Sequence, residues 1–104
     1  MTISQASINT IMILEETIHT RWVNRVLILC SDNDQCNDIH HVLSLLDYSV
    51  ELIVLNDVYD ERKSYYSSIE KLRNGTSKVL VTTPDTMSII QKNMDTFLHF
   101  DVVL

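Results

Sequence analysis

Glycine and proline are nearly absent from this sequence, because each occurs once among 104 residues. Flexible linkers and disordered segments are rich in these two residues, so the sequence excludes long regions of either kind. Hydrophobic residues make up 45% of the chain and charged residues 21%, the balance of an ordinary globular domain. We therefore expect a single ordered domain that covers residues 1–104.

Long hydrophobic runs and an excess of positive charge are absent too. No apolar run approaches the roughly 20 residues that cross a membrane, so we expect no membrane partner. Eight lysines and arginines stand against 14 acidic residues, which gives a net charge of −6. This charge disfavours nonspecific attraction of polyphosphates to the whole surface, but it leaves room for a local basic patch.

Cysteine is scarce as well, with one residue at the end of a predicted strand, Cys30, and one in the next helix, Cys36. This placement is poor for a disulfide, and we expect two reduced, buried thiols. Asp32 and Asp34 oppose a reactive thiolate in this loop. Cys36 and His40 have the i, i+4 spacing of metal ligands, but no second ligand pair accompanies them, so we predict no metal site.

Two apolar patterns alternate along the chain. Segments with apolar residues three and four apart separate short continuous apolar runs, which are typical of parallel strands covered on both sides. The order α-β-α-β-α-β-α-β predicts an α/β fold: a parallel sheet of at least four strands with crossover helices on both faces. The predicted helices cover residues 4–21, about 32–47, 59–73 and 84–93, and the predicted strands cover 26–30, 50–55, 78–82 and 100–104.

The first predicted helix carries an apolar stripe that only Glu15 interrupts. This spacing indicates an amphipathic helix whose stripe faces the core. The stripe consists of Ile8, Ile11, Met12, Ile18 and Trp22.

The segment 73–84 contains both the glycine and the proline. Asn74-Gly75 after a helical pattern predicts a left-handed helix end, because glycine adopts positive φ without steric cost. A buried strand then leads to Thr82, Thr83 and Pro84, and Pro84 is well suited to begin a helix. Ligands of open α/β folds bind where such strands end, so this turn is a candidate ligand site.

Several segments resemble the C-terminal RecA-like domain of DEAD-box-type RNA helicases. Val26 to Ser31 is similar to the strand of that family's motif IV. The stretch from Glu61-Arg62 to Thr82-Thr83 is similar to the region that leads into motif V, and Phe100 to Leu104 is similar to the strand after it. The resemblance implies a RecA-like sheet. An alternative alignment, based on Thr83-Pro84 and Phe100 to Leu104, is with the N-terminal helicase domain.

The chain departs from the helicase pattern where that pattern carries chemistry. Residues 84–91 replace the motif V residues that contact RNA and nucleotide, and no Gly-x-x-x-x-Gly-Lys-Ser/Thr sequence is present to bind ATP phosphates. We therefore predict no catalytic residue, no cofactor and no enzymatic activity. The expected function is a noncatalytic scaffold that binds protein partners, including a second copy of itself.

A degenerate helicase-C-like domain that begins at the first residue also resembles the insect Tudor-domain, helicase-like piRNA factors. That resemblance implies a cytoplasmic role in ribonucleoprotein granules and in RNA-mediated gene silencing. Because the sequence stops directly after an apolar strand, we expect a domain that is truncated at its C-terminal end or covered there by a partner.

Two groups of residues are candidates for binding. The densest cationic group, with the two threonines that match motif V, is the candidate for weak RNA binding, although an ordinary charged helix surface is the alternative. An apolar stripe near the C-terminal end is the candidate protein interface, with core packing as the alternative. The first group is Arg62, Lys63, Lys71, Arg73, Lys78, Thr82 and Thr83, and the second is Met87, Ile90, Met94, Phe97 and Leu98.

Two other functions stay open at this point. One alternative to the scaffold is one half of an active ATP-dependent RNA helicase, and the other is a stand-alone binding domain of the flavodoxin or receiver class. In the receiver class Asp32, Asp34 and Asp38 would bind Mg²⁺, but helix capping explains these aspartates better.

Overall fold

The structure is a computed structural model and describes residues 3–54, 63–93 and 98–104. Four helices and four strands alternate along these residues, in the predicted order. They are α1 (Gln5–Thr20), β1 (Val26–Leu29), α2 (Asn33–Leu45), β2 (Val50–Leu52), α3 (Lys63–Arg73), β3 (Val79–Thr82), α4 (Pro84–Asn93) and β4 (Val102–Val103).

The four strands form one parallel sheet in the order β2-β3-β1-β4. β1 lies inside the sheet, where Val26 pairs with Val79 on one side and with Val102 on the other. β3 is the other inner strand, and its Val79 also pairs with Val50. Because β1 and β3 are adjacent and parallel, the loops that follow them begin side by side at the carboxyl edge of the sheet.

Successive residues of the inner strands contribute to opposite faces of the sheet. Val26 and Ile28 pack with residues of α1 and α2, such as Leu14 and Leu43. Leu27 lies on the other face, in a second core that α3 and α4 cover. The predicted α/β fold is thereby confirmed, and it is consistent with a RecA-like or Rossmann-type arrangement. The second core also contains Leu80, Tyr65, Ile69, Leu72, Met87 and Ile90.

Local capping explains why α1 and α2 begin where they do. The Ser4 hydroxyl accepts a hydrogen bond from the Ser7 backbone N–H at the start of α1. The Asp32 carboxylate accepts one from the Gln35 N–H at 2.8 Å, and the Gln35 side chain reaches back to the Ser31 N–H. Such reciprocal bonds satisfy backbone donors that have no partner in the first turn of a helix.

The predicted stripe of α1 is wrong in part. Ile11 and Leu14 are buried, whereas Ile8 and Met12 are exposed. Trp22 is 85% exposed, because α1 ends at Thr20 and the following residue is extended, with φ −136° and ψ 150°. The tryptophan therefore lies outside the helical repeat from which its burial was predicted.

Three predicted strands and α2 are shorter than their apolar patterns. β2 ends at Leu52 and β4 covers two residues. α2 ends at Leu45, and Asp47 adopts a left-handed backbone with φ 65°. An apolar run indicates which residues are buried, whereas the length of a strand depends on how many residues pair with the neighbouring strand. The apolar runs therefore extend beyond the paired residues. Among the helices of the described ranges, none has the length and apolar character needed to cross a membrane.

Candidate functional site

A crevice of about 680 Å³ opens at the carboxyl edge of the sheet, between the ends of β1 and β3. The loop after β1 and the start of α2 form one wall, and the loop after β3 and the start of α4 form the other. Because these two helices cover opposite faces of the sheet, the crevice lies where open α/β folds usually bind ligands. The lining residues are Ser31, Asp32, Asn33, Asp34, Thr83, Pro84, Asp85, Thr86 and Ile89.

The electrostatics of this crevice oppose an anionic ligand. Asp32, Asp34 and Asp85 contribute three carboxylates, and no lysine or arginine lines the crevice. Phosphate recognition at helix starts depends on positive potential, which these carboxylates neutralise. The aspartates do not form a metal centre either, because the described residues contain no group of three His, Cys, Asp or Glu side chains able to hold a metal.

The two threonines predicted to contact RNA form hydrogen bonds within the fold. Thr82 is fully buried and its hydroxyl donates to the Ile53 carbonyl at 2.7 Å, which ties β3 to the end of β2. The Thr83 hydroxyl accepts from the Thr86 N–H at 3.2 Å and lies 2.9 Å from the Thr86 hydroxyl. Thr83 therefore caps α4, which begins at Pro84 as predicted.

Arg73 and Lys78, two of the basic residues predicted to bind RNA, lie far from the threonines. Arg73 and Lys78 line a cleft at the opposite, amino edge of the sheet. Lys71 is exposed in the last turn of α3, and Lys63 begins the described part of that helix. β3 separates Lys78 from Thr83, a distance of roughly 15 Å for an extended strand. Arg62 lies outside the described residues.

Gly75 forms the predicted turn between α3 and β3, with φ +85°. The Ser77 N–H donates to the Lys71 carbonyl at 3.0 Å, and the Thr76 N–H donates to the Asn74 side chain at 2.9 Å. These hydrogen bonds terminate α3 and direct the backbone toward β3. The turn thus places Arg73 and Lys78 at the same edge of the sheet.

Arg25 and Asp101 organise this amino edge. The Arg25 guanidinium donates to the His99 carbonyl at 2.7 Å and to the Leu72 carbonyl at 3.5 Å, so it joins the approach to β4 with the end of α3. The Asp101 carboxylate accepts hydrogen bonds from the Asn24 and Arg25 backbone N–H groups. The bond from Asn24 is the largest cause that lowers the pKa of Asp101, and His99 at 3.5 Å adds to it.

The described residues of the predicted protein interface lie inside the molecule. Met87, Ile90 and Leu98 are buried in the second core, as the core-packing alternative expected. Met94 and Phe97 lie outside the described residues. Large exposed apolar side chains occur elsewhere: on α1, at the end of α2, on α3, in the connection before β1 and on β4. They include Met12, Ile13, Trp22, Leu45, Leu46, Tyr66 and Val103.

Both cysteines are buried and free, as predicted. The Cys36 thiol hydrogen-bonds to Cys30, and this bond, together with burial, raises the pKa of Cys36. The same bond lowers the pKa of Cys30, whereas its burial and the charge of Asp32 act in the other direction. A thiol pair in this setting supports the packing of β1 against α2.

Comparison with family models and with curated proteins identifies no relative of this chain. No protein-family model matches the sequence, and no curated protein matches it. The functional interpretation therefore depends on the residues and their arrangement.

Sequence reasoning missed three residues of the amino edge: Arg21, Trp22 and Arg25. The helical spacing predicts Trp22 in a buried stripe, and the sequence alone does not group the two arginines with Arg73 and Lys78. The signal that points to them is local, because two cations and a tryptophan occur together between a helix and a strand. Their proximity to Lys78 depends on the pairing of β1 with β3, which brings residues distant in sequence to one edge.

Proposed function

We propose that this chain is a noncatalytic RecA-like module that serves as a scaffold for protein partners, including a second copy of itself. The observation that carries the proposal is the acidic crevice at the carboxyl edge of the sheet, where open α/β proteins bind their ligands. It holds three carboxylates and no cation, and the hydroxyls of Thr82 and Thr83 are used within the fold.

The resemblance to DEAD-box-type helicases and to helicase-like piRNA factors supports the cellular part of the proposal. It favours a scaffold in cytoplasmic ribonucleoprotein granules, where helicase-like proteins assemble with other proteins. This part depends on the resemblance of the motifs alone.

The outer face of α1 is the surface we assign to self-association. Met12 and Ile13 are adjacent and are 63% and 51% exposed, on a helix face that otherwise carries polar residues such as Gln5 and Asn9. Single exposed apolar side chains are common, but Met12 and Ile13 lie about 100° apart on the outer side of α1, so a partner that covers this side can bury both of them. Burial of this pair would provide the apolar centre of a contact between copies.

Light scattering across a wide concentration series tests self-association. We expect the mass to rise above the 12.0 kDa of a single chain as the concentration increases. Met12→Asp with Ile13→Asp is expected to abolish the rise. The matched control, Gln5→Glu with Asn9→Asp, adds the same charge to the same exposed face and is expected to leave it. A monomer at every concentration would contradict the self-association proposal.

Thermal melting in the presence of ATP and Mg²⁺ tests the noncatalytic part. A ligand that binds the folded state raises the melting temperature, and the rise grows with ligand concentration. We expect no saturable rise, because the crevice lacks cations. A saturable rise that Asp85→Asn or Thr83→Ser alters would instead favour a nucleotide site in the crevice.

A further inference from the structure

The amino edge of the sheet presents a tryptophan to solvent. Trp22 lies in the short connection between α1 and β1 and is 85% exposed, the largest exposure among the large hydrophobic side chains of the described residues. Its neighbour Val23 is buried, so the connection itself is anchored to the core. An exposed indole on an anchored segment is a fixed aromatic platform.

Cations surround this platform. The Lys78 ammonium lies 5.7 Å from the centroid of the Trp22 ring, which is a cation–π distance. Trp22 and Lys78 together separate two clefts: Arg21 lines the first, and Arg25 and Arg73 line the second. No acidic residue lines either cleft. Half of the eight lysines and arginines of the chain therefore meet at one tryptophan.

Three of these cations are available to an anion. Over the described ranges, Arg21 and Lys78 have no carboxylate at ion-pair distance, and the Glu70 partner of Arg73 lies at 3.4 Å in an exposed pair. Exposed pairs of this kind are weak and exchange readily with other ions. Arg25 differs, because its guanidinium is engaged with two backbone carbonyls. It contributes positive potential and holds the edge together.

We propose that the two clefts around Trp22 bind a single-stranded nucleic acid, with a base stacked on the indole and phosphates held by Arg21, Arg73 and Lys78. A platform for stacking beside a positively charged groove is the arrangement with which proteins bind single strands without reading their sequence. A duplex fits less well, because its bases are stacked on one another. The site lies at the sheet edge opposite the acidic crevice, so the proposal does not depend on the scaffold function.

The tryptophan provides its own readout, because it is the only one in the chain. We expect a short oligonucleotide of mixed sequence to quench its fluorescence to saturation, both as RNA and as DNA. The same sequence in a duplex is expected to bind more weakly. The affinity should fall as salt increases, because phosphate binding releases counterions.

Variants separate the stacking contact from the charge contact. Trp22→Ala is expected to weaken binding of a labelled oligonucleotide by about 5- to 150-fold, the loss of one stacked base. Lys78→Gln is expected to reduce the slope of log affinity against log salt by about 0.7, the loss of one phosphate contact to a single strand. The control is Lys92→Gln, which removes an exposed cation from α4 and should change neither quantity.

Two results would overturn the proposal. One is that Trp22→Ala or Lys78→Gln binds the oligonucleotide with the same affinity and salt dependence as Lys92→Gln. Wild-type circular dichroism spectra of all three variants would show that they are folded. The other is an acidic peptide, such as oligoglutamate, that binds at least as tightly and displaces the oligonucleotide from wild-type protein. The second result would assign the clefts to an acidic protein partner.

Discussion

Asp101 is hydrogen-bonded to the backbone of Asn24, a residue 77 positions earlier in the chain. This contact fixes the approach to β4 beside the approach to β1, and Asp101 also accepts a hydrogen bond from the Arg25 N–H. The carboxylate thus links the segment before β4 to the segment before β1. Its charge state affects how firmly β4 is attached to the sheet.

The stability of the fold is expected to depend on pH through Asp101. Its folded pKa lies below the ordinary value of 3.8, so its stabilising effect is complete above that value and is lost as the pH falls through the folded pKa. Asp101→Asn should therefore unfold at lower urea concentration than wild type at neutral pH, and the difference should shrink in strong acid. Glu16→Gln, at an exposed site on α1, is the control; an equal effect there would contradict the assignment.

Gly75→Ala is expected to lower the free energy of unfolding by about 1 kcal/mol, because alanine is strained at positive φ. An added Cβ would meet no atom within 4 Å, so the backbone conformation alone sets the cost. Gly75→Asn should cost less, since asparagine tolerates the left-handed region better. Equal losses for the two variants in urea unfolding would show that φ is not the cause.

Tyr65→Phe is expected to stabilise the protein by about 1 kcal/mol. The Tyr65 side chain is 1% exposed and, among the described residues, its hydroxyl has no hydrogen-bond partner. A buried donor without a partner costs free energy that phenylalanine does not incur. The control is Tyr66→Phe, since Tyr66 packs edge-on against Tyr65 at 5.6 Å and is 45% exposed. A destabilised Tyr65→Phe variant would indicate a partner for the hydroxyl.

The two thiols are expected to react with a disulfide reagent only when the protein unfolds. Cys30 and Cys36 are 2% and 0% exposed, and attack requires an accessible thiolate. Reaction should follow the unfolding transition as urea increases. Ser44→Cys places a thiol on the exposed side of α2 and should react at once in the native protein. Fast labelling of wild type without urea would contradict the burial of the pair.

The features that could be predicted from the sequence are those with local causes. Thr83 and Pro84 mark the start of α4 because a cap and a fixed φ act within one turn, and Gly75 marks a turn for the same kind of reason. The continuous apolar run at residues 26–30 indicates a strand that is buried on both faces. These signals do not require knowledge of the rest of the chain.

The candidate sites depended on distances that the sequence does not show. The stretch from Lys71 to Thr83 is continuous in sequence, yet a strand runs through it and carries its two ends to opposite edges of the sheet. No glycine or proline marks the end of α1 at Thr20. The helical spacing of apolar residues therefore extends to Trp22 in the sequence, although the helix does not. Its position beside Lys78 follows from strand pairing, which is a tertiary property.

The pairing of β1 has a consequence for how the chain is made. β1 precedes the other three described strands in the chain, but its neighbours in the sheet are β3 and β4, so Val26 can pair only after Val79 and Val102 have been synthesised. Every strand contact spans a long stretch of chain, and such contacts form slowly. Until β3 emerges, the apolar residues of β1 are open to other chains. We therefore expect the sheet to assemble only after β3 and β4 have been synthesised.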